Sequence, residues 1–353
     1  MRKPRPSRSQ TKPIALRPGD FACLQDRTVL VTGGTGSFGQ RFVETVLERS
    51  RVRKLIVFSR DELKQSEMAA RFKDDRLRFF IGDIRDAGRL QRAFAGVDFV
   101  VHAAALKQVP TLEYNPFEAI LTNVVGAEHI INAAIDQKVR RVVALSTDKA
   151  VNPINLYGAT KLCFEKLFIA GNSYAGGKET RFSVVRYGNV VGSRGSVIPL
   201  FLSLRGHGVL PITDERMTRF WITLDQGISL VLRALTHMHG GEAFVPKIPS
   251  MRILDLTKAI APECRTRVIG VRPGEKIHEI LLTEDEAARA LDVGDMFIIK
   301  PNFHWWGKDN WRSGVPVPPG FRYTSDANDW WLTAEELRTM AKTGGEGKTP
   351  VPA

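Results

Sequence analysis

The chain has 353 residues, 43% hydrophobic and 25% charged, with 51 Lys/Arg against 38 Asp/Glu for a net charge of +13. That length supports a sizeable core in one large or two modest domains, and no apolar run approaches the roughly 20 residues that span a bilayer, which argues against a membrane partner. Cys23, Cys163 and Cys264 are odd in number and lack CxxC spacing, so they predict reduced thiols in a cytoplasmic protein rather than a disulfide framework.

Residues 1–25 read as a basic tail. Arg2, Lys3, Arg5, Arg8, Lys12 and Arg17 face only Asp20 within its first stretch, and Pro, Ser and Arg leave little to bury, which predicts disorder. No apolar stretch follows these basic residues, so the pattern is not that of a secretory signal. The remaining positive charge suits a nucleotide or diphosphate drawn into a cleft. Nucleic acid would suit it too, but no nucleic-acid module is recognisable.

From residue 28 short apolar strands alternate with amphipathic helices. The strands are TVLVTGG (28–34), KLIVFSR (54–60), LRFFIGD (77–83), VDFVVHAAA (97–105), RRVVALST (140–147) and RFSVVRYGN (181–189). Helices are expected over 40–50, around 116–137 and around 157–174. Nearly continuous apolar strands between helices predict an α/β fold, a doubly wound parallel sheet of the Rossmann type whose ligands sit at the carboxyl ends of the strands. The Rossmann domain is expected over 26–190 plus 223–248, where EAFVPKI rejoins the sheet. A smaller discontinuous lobe is expected from 191–222 plus 249–300. Five of the six tryptophans then fall in FHWWGKDNW and NDWWLTAEEL, which predicts a docked extension over 301–340 before a flexible 341–353.

VLVTGGTGSFG places Gly33, Gly36 and Gly39 between a strand and a helix, where backbone amides can approach a pyrophosphate at the helix N-terminus. Twenty residues past Gly39 stands Ser59-Arg60 rather than a carboxylate. A guanidinium there pairs with a 2′-phosphate, which favours NADP; Asp61 and Glu62 follow, so NAD stays open. Asp83, after the third strand, suits either an adenine contact or a plain turn. His237 and His239 in THMHGG fit a helix end, and with no Cys or carboxylate cluster beside them no metal is predicted.

STDKAVNPINLYGATK (146–161) holds the chemistry. Tyr157 and Lys161 at i, i+4 share one helix face. A cation near the phenol, expected to be Lys161, would lower its pKa and let it take a proton from an alcohol. Thr147 or Ser146 would hydrogen-bond the same alcohol. With the glycine loop, these residues make the chain resemble the extended short-chain dehydrogenase/reductase superfamily over roughly 28–280. That resemblance implies a nucleotide-sugar substrate and a homo-oligomer, dimer or hexamer. It also implies cofactor contacts from Gly33, Gly36, Ser37, Phe38, Gly39, Ser59, Arg60, Asp83, Ile84, Ala103, Tyr157 and Lys161.

Asp148 and Lys149 narrow the class. Oxidising a sugar at C4 acidifies its C5 hydrogen, and a base at C5 with an acid at the C6 hydroxyl then expels water. C5-retaining hexose dehydratases carry Asp-Glu after the threonine; here lysine stands in the second place. That departure resembles the inverting UDP-N-acetylglucosamine 4,6-dehydratases of the pseudaminic acid pathway, as do HAAALKQVP, RYGNVVGSRGSVIP, DERMTRFWI, FVPKIPSMRI, VRPGEKIHE and YTSDANDWWLTAEEL. The resemblance implies Asp148 as general acid, Lys149 as C5 base, Tyr157 as the residue taking the 4-hydroxyl proton, and Thr147 and Lys161 assisting. A lysine base must lose charge near neutrality, so its pKa is expected to be lowered. Asn189, Arg219, Arg272 and Glu275 are implied in diphosphate and uridine binding, with Arg194 and Lys107 as further substrate candidates. A UDP-sugar 4-epimerase, a C5-retaining dehydratase, and a catalytically idle dinucleotide sensor or nucleic-acid binder are the alternatives.

Overall fold

The computed structural model describes residues 14–176, 179–303, 306 and 310–344. Seven parallel strands form the body of one ten-stranded sheet. In spatial order they are Ala243–Pro246, β6 (Arg181–Tyr187), β5 (Arg141–Thr147), β4 (Phe99–His102), β1 (Thr28–Thr32), β2 (Lys54–Ser59) and β3 (Leu77–Ile81). β1 is buried along its whole length, as a strand covered by helices on both faces must be. Its Thr32 registers with Phe58 of β2 and His102 of β4, so the chain reverses its winding at that point and opens a crevice at the carboxyl ends. EAFVPKI returns beside β6 in parallel register.

The sheet does not stop there. Met296–Ile299 pairs antiparallel with Ala243–Pro246, Ala290–Asp292 pairs with Met296–Ile299, and Val315–Pro316 closes the edge. Residues 290–299, assigned by sequence to the smaller lobe, therefore belong to the main sheet. MFII is fully buried, and an apolar strand of that kind finds its partner in the open edge of the sheet. The smaller layer is built from Asn189–Val190, Thr218–Ile222 and Ser250–Arg252, with a separate core around Trp221, Phe201 and Leu256.

Two boundaries also move. Ile14, Phe21 and Leu24 are buried against the main core, and Pro18–Leu24 forms a 3-10 helix, so the disordered tail cannot reach residue 25. Burying each such side chain contributes about 1.5–3 kcal/mol. The Asp20 carboxylate accepts the Arg17 amide at 2.9 Å and lies 3.1 Å from the Ser229 hydroxyl on the helix Leu224–His237, tying this turn down. At the other end a helix spans Ala334–Gly344, past the expected start of the flexible tail. Residues 1–13 and 345–353, also expected to be flexible, lie outside the described residues.

The expected helix around 116–137 is interrupted. Pro116–Ile120 and Gly126–Asp136 are α-helical, and Leu121–Val125 between them is a π turn. The π turn carries Asn123, whose amide grips both backbone groups of Leu106 at 2.9 Å and donates to Thr160 at 3.1 Å. This holds the loop after β4 over the crevice.

Candidate active site

The helix Leu156–Tyr174 is the element on which the site is built. Asn155 caps it: its Oδ1 accepts the Gly158 amide at 2.7 Å, and its Nδ2 donates to the Gly274 carbonyl at 2.7 Å, joining helix to lobe. A Cβ at Gly158 would lie 2.2 Å from the Lys149 carbonyl oxygen. Only glycine there lets the turn Asp148–Ala150 lie against the helix, bringing Asp148 and Lys149 to Tyr157.

Asp148 is fully buried. Its Oδ1 accepts the Thr147 hydroxyl at 2.9 Å and Lys149 Nζ at 3.0 Å, while Oδ2 has no hydrogen-bond partner among the described residues. Burial raises its pKa and the Glu279 charge adds to that, outweighing Lys149. For Lys149, burial acts to lower the pKa, but Asp148 and Glu279 more than reverse it and hold the ammonium above its ordinary value. That overturns the expected lowering, because Asp148 and, after it, Glu279, a carboxylate absent from the sequence reading, both face the lysine. Glu279 Oε1 accepts Lys149 Nζ at 3.2 Å.

The electrostatics around Tyr157 differ likewise. Burial pushes its pKa up to about 12; Lys149 lowers it, Asp148 raises it, and a bond with the Thr147 hydroxyl lowers it. The cation acting on the phenol is Lys149, not Lys161 as expected. Lys161 Nζ donates to the Leu145 carbonyl at 2.7 Å, lies 3.2 Å from the Phe164 ring centroid, and is brought by burial down to about 7.

On the cofactor side, a cavity of about 510 Å³ runs from Gly33, Gly36, Ser37, Phe38 and Gly39 past Ala103 to Ser146, Asp148, Tyr157 and Lys161. Gly33 has φ 64°, and a Cβ there would stand 2.9 Å from the Ala104 backbone. A second cavity of about 250 Å³ is lined by Ser59, Arg60, Asp83 and Ile84. Arg60 reaches Asp83 at 3.4 Å, and Asp83 also binds Arg85 at 2.7 Å. Arg194, expected at the substrate, stands over the glycine loop: its Nη2 donates to the Thr35 carbonyl at 2.9 Å and its amide to Ser37 Oγ at 3.3 Å. The adjoining cavities, the bare glycine loop and the partnerless buried Ser146 hydroxyl fit a dinucleotide.

On the substrate side a cavity of about 290 Å³ gathers Lys107, Asn189, Arg219, Arg272 and Glu275 beside Lys149. Among the described residues Asn189 Oδ1 and Glu275 Oε2 find no hydrogen-bond partner though buried, so polar ligand groups have somewhere to bind. Arg219 is spent partly on the Thr218 carbonyl at 2.8 Å and approaches Glu279 at 3.8 Å. Lys107 donates to the Arg194 carbonyl at 3.3 Å, bridging the two sides. Glu279 and Asn123 are the residues sequence reading missed. Glu279 lay inside the VRPGEKIHE block and carried no mark of its own, and Asn123 had no motif around it. Among the described residues no group of His, Cys, Asp and Glu could hold a metal, and no helix is long and apolar enough to cross a membrane.

A glycine loop after β1 and a Tyr-x-x-x-Lys pair beside β5, on a sheet with this order, define an extended short-chain dehydrogenase/reductase. Within that class the chain belongs to the family described as polysaccharide biosynthesis protein, whose profile matches residues 29–301. It is 51% identical over 320 residues to a UDP-N-acetylglucosamine 4,6-dehydratase (inverting) of Campylobacter jejuni, covering 88% of this chain and 96% of that one. It is also 46% identical over 283 residues to a UDP-glucose 4-epimerase of Rickettsia canadensis, covering 78% and 83%. The solved structure of Pen from Bacillus thuringiensis superposes with a TM-score of 0.83 at 39% identity, covering 91% of this chain and 98% of that one. Other structures with this fold hold NAD.

Proposed function

We propose that the chain is a UDP-N-acetylglucosamine 4,6-dehydratase that inverts C5, a hydro-lyase yielding a UDP-2-acetamido-2,6-dideoxy-4-hexulose for surface-glycan or pseudaminic acid biosynthesis. One observation carries the reading: Lys149 Nζ sits 3.0 Å from Asp148 Oδ1, in the cavity wall shared with Tyr157. An epimerase has no use for that pair. The relatives named as epimerases keep the 4-epimerase as the second reading.

A bound nicotinamide dinucleotide would take a hydride from C4 and return it to C6. Tyr157 would accept the 4-hydroxyl proton as a phenolate, a form that burial disfavours and that Lys149 and the Thr147 hydroxyl favour. Lys149 begins as an ammonium and Asp148 as a carboxylate. Passing one proton along their hydrogen bond leaves a neutral amine and a carboxylic acid, a base and an acid at once. The amine takes the C5 proton and the acid protonates the departing C6 hydroxyl, so water leaves and the ion pair is restored. A solvent proton completes C5. Asp148 suits this because burial already raises its pKa.

Arg219, Arg272 and Asn189 would take the diphosphate, Glu275 the uridine ribose, and Lys107 the sugar. NADP is the proposed cofactor: Arg60 and Arg194 line the cavity beside Ser59, where a 2′-phosphate would meet both guanidinium groups. Free Cys23, Cys163 and Cys264 support a cytoplasmic setting. Tyr114 and Phe117, 87% and 79% exposed on neighbouring helices, support a homo-oligomer.

The test is a proton NMR time course with UDP-N-acetylglucosamine in D₂O. A C6 methyl signal, deuterium at C5 and couplings of an inverted ring are expected. UDP-N-acetylgalactosamine alone would make the chain an epimerase, and a methyl product that keeps C5 would remove the inversion.

A further inference from the structure

We propose that Glu279 is a positioning residue for the Asp148–Lys149 pair, and that Ser325, from the C-terminal extension, holds it in place. This deepens the dehydratase reading and rests on it. The geometry is that of a bracket. Lys149 Nζ lies between two buried carboxylates, 3.0 Å from Asp148 Oδ1 and 3.2 Å from Glu279 Oε1. Asp148 and Lys149 come from the turn after β5, and Glu279 lies 130 residues beyond Lys149 in the chain. Glu279 is 2% exposed.

Its backbone is clamped from both sides by one serine. The Glu279 amide donates to Ser325 Oγ at 2.9 Å, and the Ser325 amide donates to the Glu279 carbonyl at 2.9 Å. Ser325 Oγ lies 2.6 Å from the Thr218 hydroxyl, which in turn meets His278 Nδ1 at 2.9 Å. Ser325 is itself fully buried. The short strand Tyr323–Thr324 just before it pairs with Ile280–Leu282, so extension and site form one hydrogen-bonded unit.

The charged and titratable groups around the bracket are Asp148 and Lys149 from the turn after β5, Tyr157 from the helix Leu156–Tyr174, Arg219 from Thr218–Ile222, and Lys276, His278 and Glu279 itself. Arg219 and Lys276 approach Glu279 at 3.8 and 3.9 Å. Against its burial, Lys149 first and then Arg219 and Lys276 hold the Glu279 carboxyl below its ordinary value, which favours the ionised form. An anion that stays ionised gives Nζ a second fixed partner, so the ammonium cannot rotate away from Asp148 Oδ1. It also keeps the one shared proton inside the pair, by raising the proton affinity of both members. Proton transfer within the pair is what makes acid and base available together, so Glu279 acts on the elimination through Lys149 without touching the sugar.

Glu279→Gln and Glu279→Asp are the variants that test this. The first readout is the rate at which Lys149 is acetylated by acetic anhydride at one alkaline pH, followed by peptide mass spectrometry on the full chain without substrate. Glu279→Gln is expected to speed acetylation about tenfold per pH unit by which the lysine pKa falls, and Glu279→Asp, which keeps the charge, to stay near the unmodified protein. The second readout is turnover of UDP-N-acetylglucosamine. Glu279→Gln is expected to lower kcat tenfold or more with KM changed less than about twofold, and to move both limbs of the pH profile about one unit lower. Glu279→Asp should recover the pH limbs and part of kcat. Unchanged acetylation with unchanged pH limbs in Glu279→Gln would overturn the proposal, as would a loss confined to KM. If the unmodified protein fails to dehydrate the sugar, the function reading falls, and acetylation alone then decides whether Glu279 governs Lys149.

Discussion

The two sides of the catalytic centre are built differently. On one side Thr147, Asp148, Lys149, Tyr157 and Lys161 lie within fifteen residues, on a strand end, a turn and the helix that follows. On the other, Arg219, Lys276, Glu279 and Ser325 come from three separate segments of the lobe and the extension. The first side carries the groups proposed to react. The second adds to the charges that set their protonation: Lys149 is held charged by Asp148 first and then by Glu279. A motif names the side chains present, but the charges facing them set what those side chains do.

Four substitutions would break or sharpen that contrast. Tyr157→Phe should have the largest effect, removing about 10²–10⁴-fold of turnover and abolishing the transient reduced-nicotinamide absorbance, since no group remains to take the 4-hydroxyl proton. Normal absorbance in this variant would move the first proton transfer to another residue. Lys149→Met should cost about 10²-fold or more in water elimination while sparing C4 oxidation, so nicotinamide reduction persists with no methyl product by NMR. Loss of both steps together would make Lys149 a support for Tyr157 only.

Ser325→Ala tests the distant side more gently. Losing one buried hydrogen-bond partner of Glu279 costs about 1 kcal/mol, and a roughly fivefold fall in kcat is expected with the fold intact by circular dichroism. An unchanged kcat would confine Ser325 to structure. Asn155→Ala should be smallest: removing the helix cap costs about 1 kcal/mol of stability and about 2 °C in Tm, read by thermal unfolding. A loss of activity far beyond that would show that the Asn155–Gly274 bond also sets how the lobe meets the helix.

Much of the fold was legible because strands covered on both faces read as unbroken apolar runs, as TVLVT does, and because the glycine loop must sit between strand and helix. MFII is equally apolar, yet its layer is not legible in the sequence, since an apolar run states that it is buried and not against what. Phe21 and Leu24 were hidden in a segment whose composition was dominated by Arg and Pro. The π turn carrying Asn123 has no local signature, because the extra residue in a helical turn is settled by what the freed side chain binds.

By itself, then, the sequence determined the alternation of strand and helix and the glycine loop, which follow from short-range periodicity and spacing, and it placed the residues proposed to react within 146–161, their roles implied by the resemblance. Only the tertiary structure decided that Arg194 covers the glycine loop, that residues 290–299 extend the main sheet, and that Glu279 grips Lys149. The physical reason is range. Backbone pattern and burial are set within a few residues, whereas a buried charge responds to every other charge within a few ångströms, however far away in the chain.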